Sequence, residues 1–188
     1  NLSIEIVNTS RNIESTYISI FIAFFILAPV TNLEDGMWLV LASFIMVASK
    51  YVIAYANRHI FNPVAVGVFA VGLMGSLSAI WWIGSMYFLP SLVIITLLVI
   101  HKIKRYTLFF SYFAASIVTV TLLTLYRGDQ ISDALLQQVL SWPLLFLGAF
   151  MLTEPLTTPP TKSTQGIYGA LVGVLSSVPY AFPPFYST

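Results

Sequence analysis

The sequence predicts an all-α fold, a polytopic transmembrane helix bundle of about seven spans with a cytoplasmic N-terminus. Three observations carry that expectation. The 188 residues are 58% hydrophobic with a mean hydropathy of +0.89. Charged residues make up 8% of the chain, against about 25% in a typical soluble domain. The charge-free runs have the length of a bilayer-crossing helix, and the basic residues gather in alternate connections.

Residues 15–33 carry no charge and give the first span. Residues 37–56 give the second, with Lys50 inside it. The uncharged stretch from Pro63 to Ile100 would run about 57 Å as one helix, nearly twice the hydrocarbon core. It must therefore be two spans, broken at Trp81-Trp82-Ile83-Gly84, because Trp favours the membrane interface and Gly tolerates a turn. Residues 106–126 and 134–152 give the fifth and sixth. Residues 166–182 give the seventh, which ends in prolines. Pro90 and Pro143 are expected to kink spans four and six.

Alternating the spans puts Arg11, Arg58, Lys102, Lys104, Arg105 and Lys162 on one side. Arg127 falls on the other, with Glu34, Asp35, Asp129 and Asp133. By the positive-inside bias the first side is cytoplasmic. Residues 1–14 then form a cytoplasmic N-terminal segment and residues 15–188 the transmembrane domain. The start at Asn1 reads as a processed or trimmed end, and the proline-rich end as an interruption of a chain that continues. No Ala-x-Ala-like site follows the first hydrophobic run, so no signal peptide is read there.

A net charge of +1 argues against nucleic acid as a partner. The absence of cysteine excludes disulfides, Cys-ligated iron–sulfur clusters and thiolate zinc within this chain. No nucleophile–base pair or metal-ligand spacing stands out. Two histidines raise a bis-His haem, but His101 sits in His-Lys-Ile-Lys-Arg, which reads as a solvated basic loop.

Two polar patches interrupt the oily pattern, Arg58-His59-Ile60-Phe61-Asn62-Pro63 and Thr153-Glu154-Pro155-Leu156-Thr157-Thr158-Pro159-Pro160. Backbone that is not helical at membrane depth must be buried in protein or line a cavity. Both patches fall at the cytoplasmic boundary of the expected topology, so they share a depth and are candidates for one site. Lys50 reads either as a snorkelling lysine or as a cation facing the bundle, toward an anionic or electron-rich ligand. Asn62-Pro63 reads as a helix cap and first turn, which also presents free N–H groups. An early helix start would put His59 and Asn62 on one face. Glu154 reads either as a solvated loop residue or as an acceptor for a ligand's imide, amide or hydroxyl. Thr157, Thr158, Thr161, Ser163 and Thr164 are potential caps for span seven, and Pro159-Pro160 stiffens the loop. Gly166, Gly169 and Gly173 form a small-residue strip suited to close helix packing, or to a flat ring approaching backbone.

Read together, the patches resemble a known family. Lys50, His59-Ile60-Phe61-Asn62-Pro63 and Ala65 are similar to a Lys…Asn/His-Ile-Leu/Phe-Asn-Pro-x-Ala signature. That signature belongs to flavin-carrying membrane subunits, those called B in the Na+-translocating NADH:quinone oxidoreductase and D in the Rnf electron-transport complex. Phe150-Met151-Leu152-Thr153-Glu154-Pro155-Leu156-Thr157 resembles the family's Phe-Met-x-Thr-Asp-Pro-Val-Thr/Ser. Ile167-Tyr168-Gly169-Ala170-Leu171-Val172-Gly173 resembles its Tyr/Phe-Gly-Ala-Leu-Ile-Gly. The motifs come in family order, and the resemblance covers roughly residues 45–175.

The resemblance implies a membrane-embedded flavin-binding domain over residues 15–188 that carries electrons. Lys50, His59, Asn62, Pro63, Thr153, Glu154, Thr157 and Gly169 are the candidate cofactor-binding residues. The family's covalent FMN hangs on the threonine of a Ser/Thr-Gly-Ala-Thr motif, which this chain lacks. The implied cofactor is therefore a non-covalent flavin, FMN or riboflavin. The implied setting is a flavin-dependent oxidoreductase in the bacterial inner membrane, surrounded by lipid. A cytoplasmic FAD/NAD(P)H reductase domain or subunit would donate, and a quinone or an extracytoplasmic acceptor would receive. Lys50 near the pyrimidine end of the ring would raise the flavin's potential. The alternatives are the substrate-binding membrane subunit of a vitamin (riboflavin-like) transporter, and a structural subunit that binds nothing.

Overall fold

The computed structural model describes residues 13–27, 29–55, 58–74, 79–140, 144–154 and 157–178. The chain divides into two compact units, Asn1–Ile83 and Gly84–Thr188.

In the first unit, helix α1 (Ile13–Ile26) ends ahead of Pro29, as helices do before a proline. Its C-terminal carbonyls are satisfied from a distance. Ile80 and Trp81 both donate their amides to the Ile26 oxygen, at 3.0 and 3.1 Å, and the Trp82 indole donates to the Phe24 oxygen at 2.7 Å. The expected break at Trp81–Gly84 is thus real: Trp81 takes a positive φ of 48°, and Trp82–Gly84 forms one 3-10 turn. Phe24 and Phe25 pack their rings on Trp82, both with centroids 5.3 Å away.

Helix α2 (Leu33–Val52) starts at Asn32, whose side chain accepts from the Asp35 amide at 2.8 Å. The Asp35 carboxylate accepts in turn from the Thr31 amide and hydroxyl, at 3.0 and 2.7 Å. Acids in this first turn also suit the positive end of the helix dipole. A two-residue antiparallel ladder follows, β1 (Ala54–Tyr55) against β2 (Arg58–His59), with Ala54 opposite His59. Helix α3 (Pro63–Leu73) then packs along α2. Gly67 makes that packing possible, since a Cβ there would stand 2.8 Å from the Ala42 carbonyl oxygen. Ala42, Met46, Val64 and Val71 are buried in this unit.

In the second unit, Pro90 lies in the first turn of α4 (Leu89–Ile103). That corrects the expected kink: a first-turn residue has no intrahelical N–H bond to lose. His101 and Lys102 occupy the last turn of α4 rather than a loop, and Lys104 ends it with φ 59°. Helix α5 (Tyr106–Arg127) closes in a Schellman arrangement on Gly128 (φ 78°), with the Asp129 amide donating to the Thr124 oxygen at 3.2 Å. Then come α6 (Ile131–Leu140), the short α7 (Leu144–Phe146) with its π-helical continuation Leu147–Met151, and α8 (Lys162–Ser177). Leu108, Tyr112, Leu144 and Leu152 form the core, with Val172 against it. Pro143 lies outside the described residues.

Large apolar side chains cover the outside as well as the inside, and some hydroxyls are turned inward. On α5, Ser116 and Thr124 are fully buried while Phe110, Val118 and Leu122 are more than half exposed. On α4, Thr96 is buried while Leu97 and Leu98 are exposed. The hydroxyls inside α5 are satisfied by the preceding turn: Thr119, Thr121 and Thr124 donate to Ala115, Ile117 and Val120 oxygens at 2.7, 2.8 and 2.7 Å. An outward apolar face suits lipid.

Helices α2 and α5, with 20 and 22 residues, are long and apolar enough to cross a membrane. Helices α1, α3, α4 and α8 have 14, 11, 15 and 16 residues, short of the roughly 20 a full span needs. The apolar runs of the sequence overstate helix length because the hairpin, the 3-10 turn and the π-helix interrupt them.

Thr96 Oγ1 is the buried side-chain polar atom left without a hydrogen-bond partner among the described residues. Thr96→Val is therefore expected to leave the melting temperature unchanged or raise it by about 1–3 °C, since an unsatisfied buried hydroxyl costs stability. A clear fall would show that the hydroxyl is engaged.

Candidate functional site

The expected site residues divide between the two units. Lys50, His59, Asn62 and Pro63 belong to the first; Thr153, Glu154, Thr157 and Gly169 belong to the second.

In the first unit, the end of α2 and the hairpin build a compact non-helical corner. Ser49 Oγ donates to the Met46 oxygen at 2.8 Å, and the Ser49 oxygen receives the Ile53 amide at 2.9 Å. The Ile53 oxygen then receives the Ile60 amide at 3.1 Å, which folds the chain back on itself. The ladder packs against α2. Lys50 and His59 are both about 7% exposed, and neither lacks a partner. Burial favours the inward reading of Lys50 over the snorkelling one. A buried cation is costly unless something compensates it, which is why such groups cluster at functional positions.

Asn62 caps α3. Its Oδ1 accepts from the Val64 and Ala65 amides at 2.9 and 3.3 Å, and Pro63 occupies the first helical position. His59 lies in β2, not on the first turn of α3, so it does not share a helix face with Asn62. Pairing with Ala54 fixes the histidine instead.

In the second unit, the chain reaches Thr153 through the π-helix. Leu152 donates its amide to the Leu147 oxygen at 2.8 Å, one residue beyond α-helical register. Such bulges are frequent at functional positions. Close packing accompanies it here: a Cβ on Gly148 would stand 2.8 Å from the Tyr112 ring. Thr153 is fully buried and its hydroxyl donates to the Ala149 oxygen. It locks the end of the helix. Glu154 is half-buried, and its backbone oxygen collects the turn that follows: it accepts from the Thr158 hydroxyl at 2.7 Å and from the Thr157 and Thr158 amides at 3.3 and 3.2 Å. Pro155 and Leu156 lie outside the described residues.

The loop is pinned at Pro159, whose carbonyl accepts from Gln165 Nε2 at 3.0 Å and Arg105 Nη1 at 3.4 Å. Thr161 caps α8 by accepting from the Thr164 amide at 3.3 Å, as the threonine cluster suggests. Gly169 is buried against α5, where a Cβ would meet the Leu108 carbonyl oxygen. The glycine strip thus serves close helix packing.

Sequence reasoning missed Gln165 and Arg105 as latches on Pro159. An isolated amide and a loop arginine carry no local signal for so distant a partner. It also missed an apolar cavity of about 420 Å³ in the first unit, lined by Phe24, Leu27, Pro29, Val30, Leu39 and Trp82. The cavity contains none of the expected residues, and its one side-chain donor, the Trp82 indole, already serves the Phe24 oxygen. It offers no side-chain match to the polar edge of a flavin ring.

His101 is exposed and its Nδ1 lies 3.1 Å from the Tyr106 hydroxyl. Among the described residues no group of three or more His, Asp or Glu is placed to hold a metal.

A family model described as the NQR2, RnfD, RnfE family matches residues 73–182, more than half of the chain. The match contains Thr153, Glu154, Thr157 and Gly169, while Lys50, His59, Asn62 and Pro63 precede it. No curated protein and no solved structure gives a significant match.

Proposed function

The chain belongs to the NQR2, RnfD, RnfE family and is a membrane subunit of a redox complex, and from that premise we propose that it holds a non-covalent flavin and passes electrons through the membrane domain. The observation that carries this reading is the second motif. Residues 150–157 and 167–173 lie inside the family match, and they coincide with the π-helix, the pinned loop and the closest helix packing.

The residues present suit a flavin's two-ended chemistry. A flavin supplies reversible electron storage, while its surroundings set the potential. Lys50 contributes a buried positive charge. Asn62 carries a side-chain amide in the same unit, where the first α3 amides are taken up by its cap. Within the second unit, taken by itself, Glu154 and Thr157 contribute acceptors on a stiffened loop. Thr153 and Gly169 act at one remove, by fixing the helix end and by holding α8 on α5. The lack of a Ser/Thr-Gly-Ala-Thr motif supports non-covalent FMN or riboflavin. In the same reading the N-terminus is cytoplasmic, the membrane is the bacterial inner membrane, and about seven segments enter it. A cytoplasmic FAD/NAD(P)H reductase donates, and a quinone or an extracytoplasmic carrier accepts. Family membership favours this role over a vitamin carrier.

Lys50→Met tests the electrostatic part. Removing a buried cation disfavours the electron-rich form of the ring, so the midpoint should fall, on the order of 30–60 mV for an about tenfold change in relative binding. Potentiometry that finds the same midpoint in both proteins would remove Lys50 from the site.

A further inference from the structure

The second unit concentrates positive charge at one end. Lys102 ends α4, Lys104 and Arg105 lead into α5, and Lys162 opens α8. Two contacts bring these segments together. Arg105 donates to the Pro159 oxygen, three residues before Lys162. One turn into α8, a Cβ on Gly166 would lie 3.8 Å from Thr107 and 3.6 Å from Ser111 of α5. Lys102, Lys104 and Lys162 are exposed. Among the described residues none of the three is paired with a carboxylate. Glu154 is the one acid within residues 101–111 and 154–166.

Part of this arrangement runs against the helix dipoles: Lys102 and Lys104 suit the C-terminal end of α4, but Arg105 and Lys162 stand at the N-terminal ends of α5 and α8. The first turns of α5 and α8 contain no acidic residue, and α5 has no side-chain cap. Cations at the positive ends of two adjacent helices repel the dipoles as well as one another. An anion from outside the chain relieves both effects. The patch adjoins the start of the 22-residue span α5, and exposed Tyr106 stands where an interfacial aromatic would. The anions at that depth are phospholipid headgroups, and clustered basic residues beside a span are attracted to them.

We propose that Lys102, Lys104, Arg105 and Lys162 form a binding surface for anionic phospholipid headgroups. It is independent of the flavin reading. Its second consequence is mechanical: Arg105 joins the surface to the Pro159 carbonyl, so a bound headgroup steadies the loop that carries Glu154 and Thr157.

The test is thermal unfolding of the full chain in detergent micelles doped with phosphatidylglycerol or phosphatidylcholine, read by tryptophan fluorescence. Phosphatidylglycerol should raise the midpoint on the order of 5 °C more than phosphatidylcholine does. The increment should largely vanish in K102Q/K104Q/K162Q and shrink in about 0.5 M salt, where screening is strong. It should persist in Arg127→Gln, at the opposite end of α5. Equal shifts from the two lipids, an increment retained by the triple variant, or one indifferent to salt in the unaltered protein would overturn the proposal. Inorganic phosphate reproducing the increment in phosphatidylcholine would also overturn it, assigning the surface to a soluble anion.

Discussion

Gly169→Leu is expected to destabilise the Gly84–Thr188 unit severely. The Cβ would collide with the Leu108 carbonyl oxygen and lie 3.1 Å from the Tyr112 amide nitrogen. These are backbone atoms of a continuous helix, so no rotamer change relieves the clash. One turn on, a Cβ at Gly173 would stand 2.9 Å from the Ala115 Cβ and 3.1 Å from the Ser116 nitrogen. Helices α5 and α8 would have to separate along this strip. The Ser116 hydroxyl would lose the Gly173 oxygen, now 3.2 Å away, and the Leu108–Tyr112–Val172 core would open. Overpacking costs about 1–3 kcal/mol in an adaptable core and more where backbone is struck. A loss above about 3 kcal/mol would lower the melting temperature by roughly 6–12 °C in a chain of this size. Gly166→Ala is the control, because its Cβ would meet only ordinary contacts at 3.6 and 3.8 Å. That variant should melt within a few degrees of the parent. A parent-like melt for Gly169→Leu would show that the two helices do not meet along this strip.

Glu154→Ala should separate binding from folding. The carboxylate belongs to a half-buried residue at the end of the π-helix, whereas the turn after it is held by the Glu154 backbone oxygen. Alanine keeps that oxygen. The melting temperature should therefore change little, while flavin retained through purification should fall about tenfold, equivalent to about 1.4 kcal/mol of binding. The measurement is the ratio of flavin absorbance to protein. An unchanged ratio would take the carboxylate out of the site, and a collapsed melting curve would mean that it serves the fold.

Several features are legible because they depend on a few residues in a row. Asn62-Pro63 announces the α3 cap, Thr161 with Thr164 announces the start of α8, and Trp81 to Gly84 announces the break. The Gly166–Gly173 spacing announces a packed face, though not that α5 is its partner. Other features lie beyond local reading. The hairpin is only two residues on each strand, too short for an alternating pattern. The π-helix answers to packing against Tyr112, 36 residues away in sequence from Gly148. Pro29 marks the end of α1 locally, but the partners of the helix's last carbonyl, the Ile80 and Trp81 amides, close on it only after folding. Pro90 misleads because a proline's effect depends on its position in the helix: disruptive in the interior, harmless in the first turn. For the candidate site, the motifs identify the segments. Burial then distinguishes Lys50, which faces inward, from His101, which does not.

The central claim is that this membrane subunit carries its own non-covalent flavin. The most direct measurement is a visible spectrum of the detergent-purified chain, oxidised and reduced, followed by mass identification of the ligand released on denaturation. The account predicts a yellow protein whose absorption bleaches on reduction and returns on reoxidation, and a released mass equal to FMN or riboflavin. A colourless, folded protein that releases no flavin, or a flavin that stays covalently attached after denaturation, would contradict it.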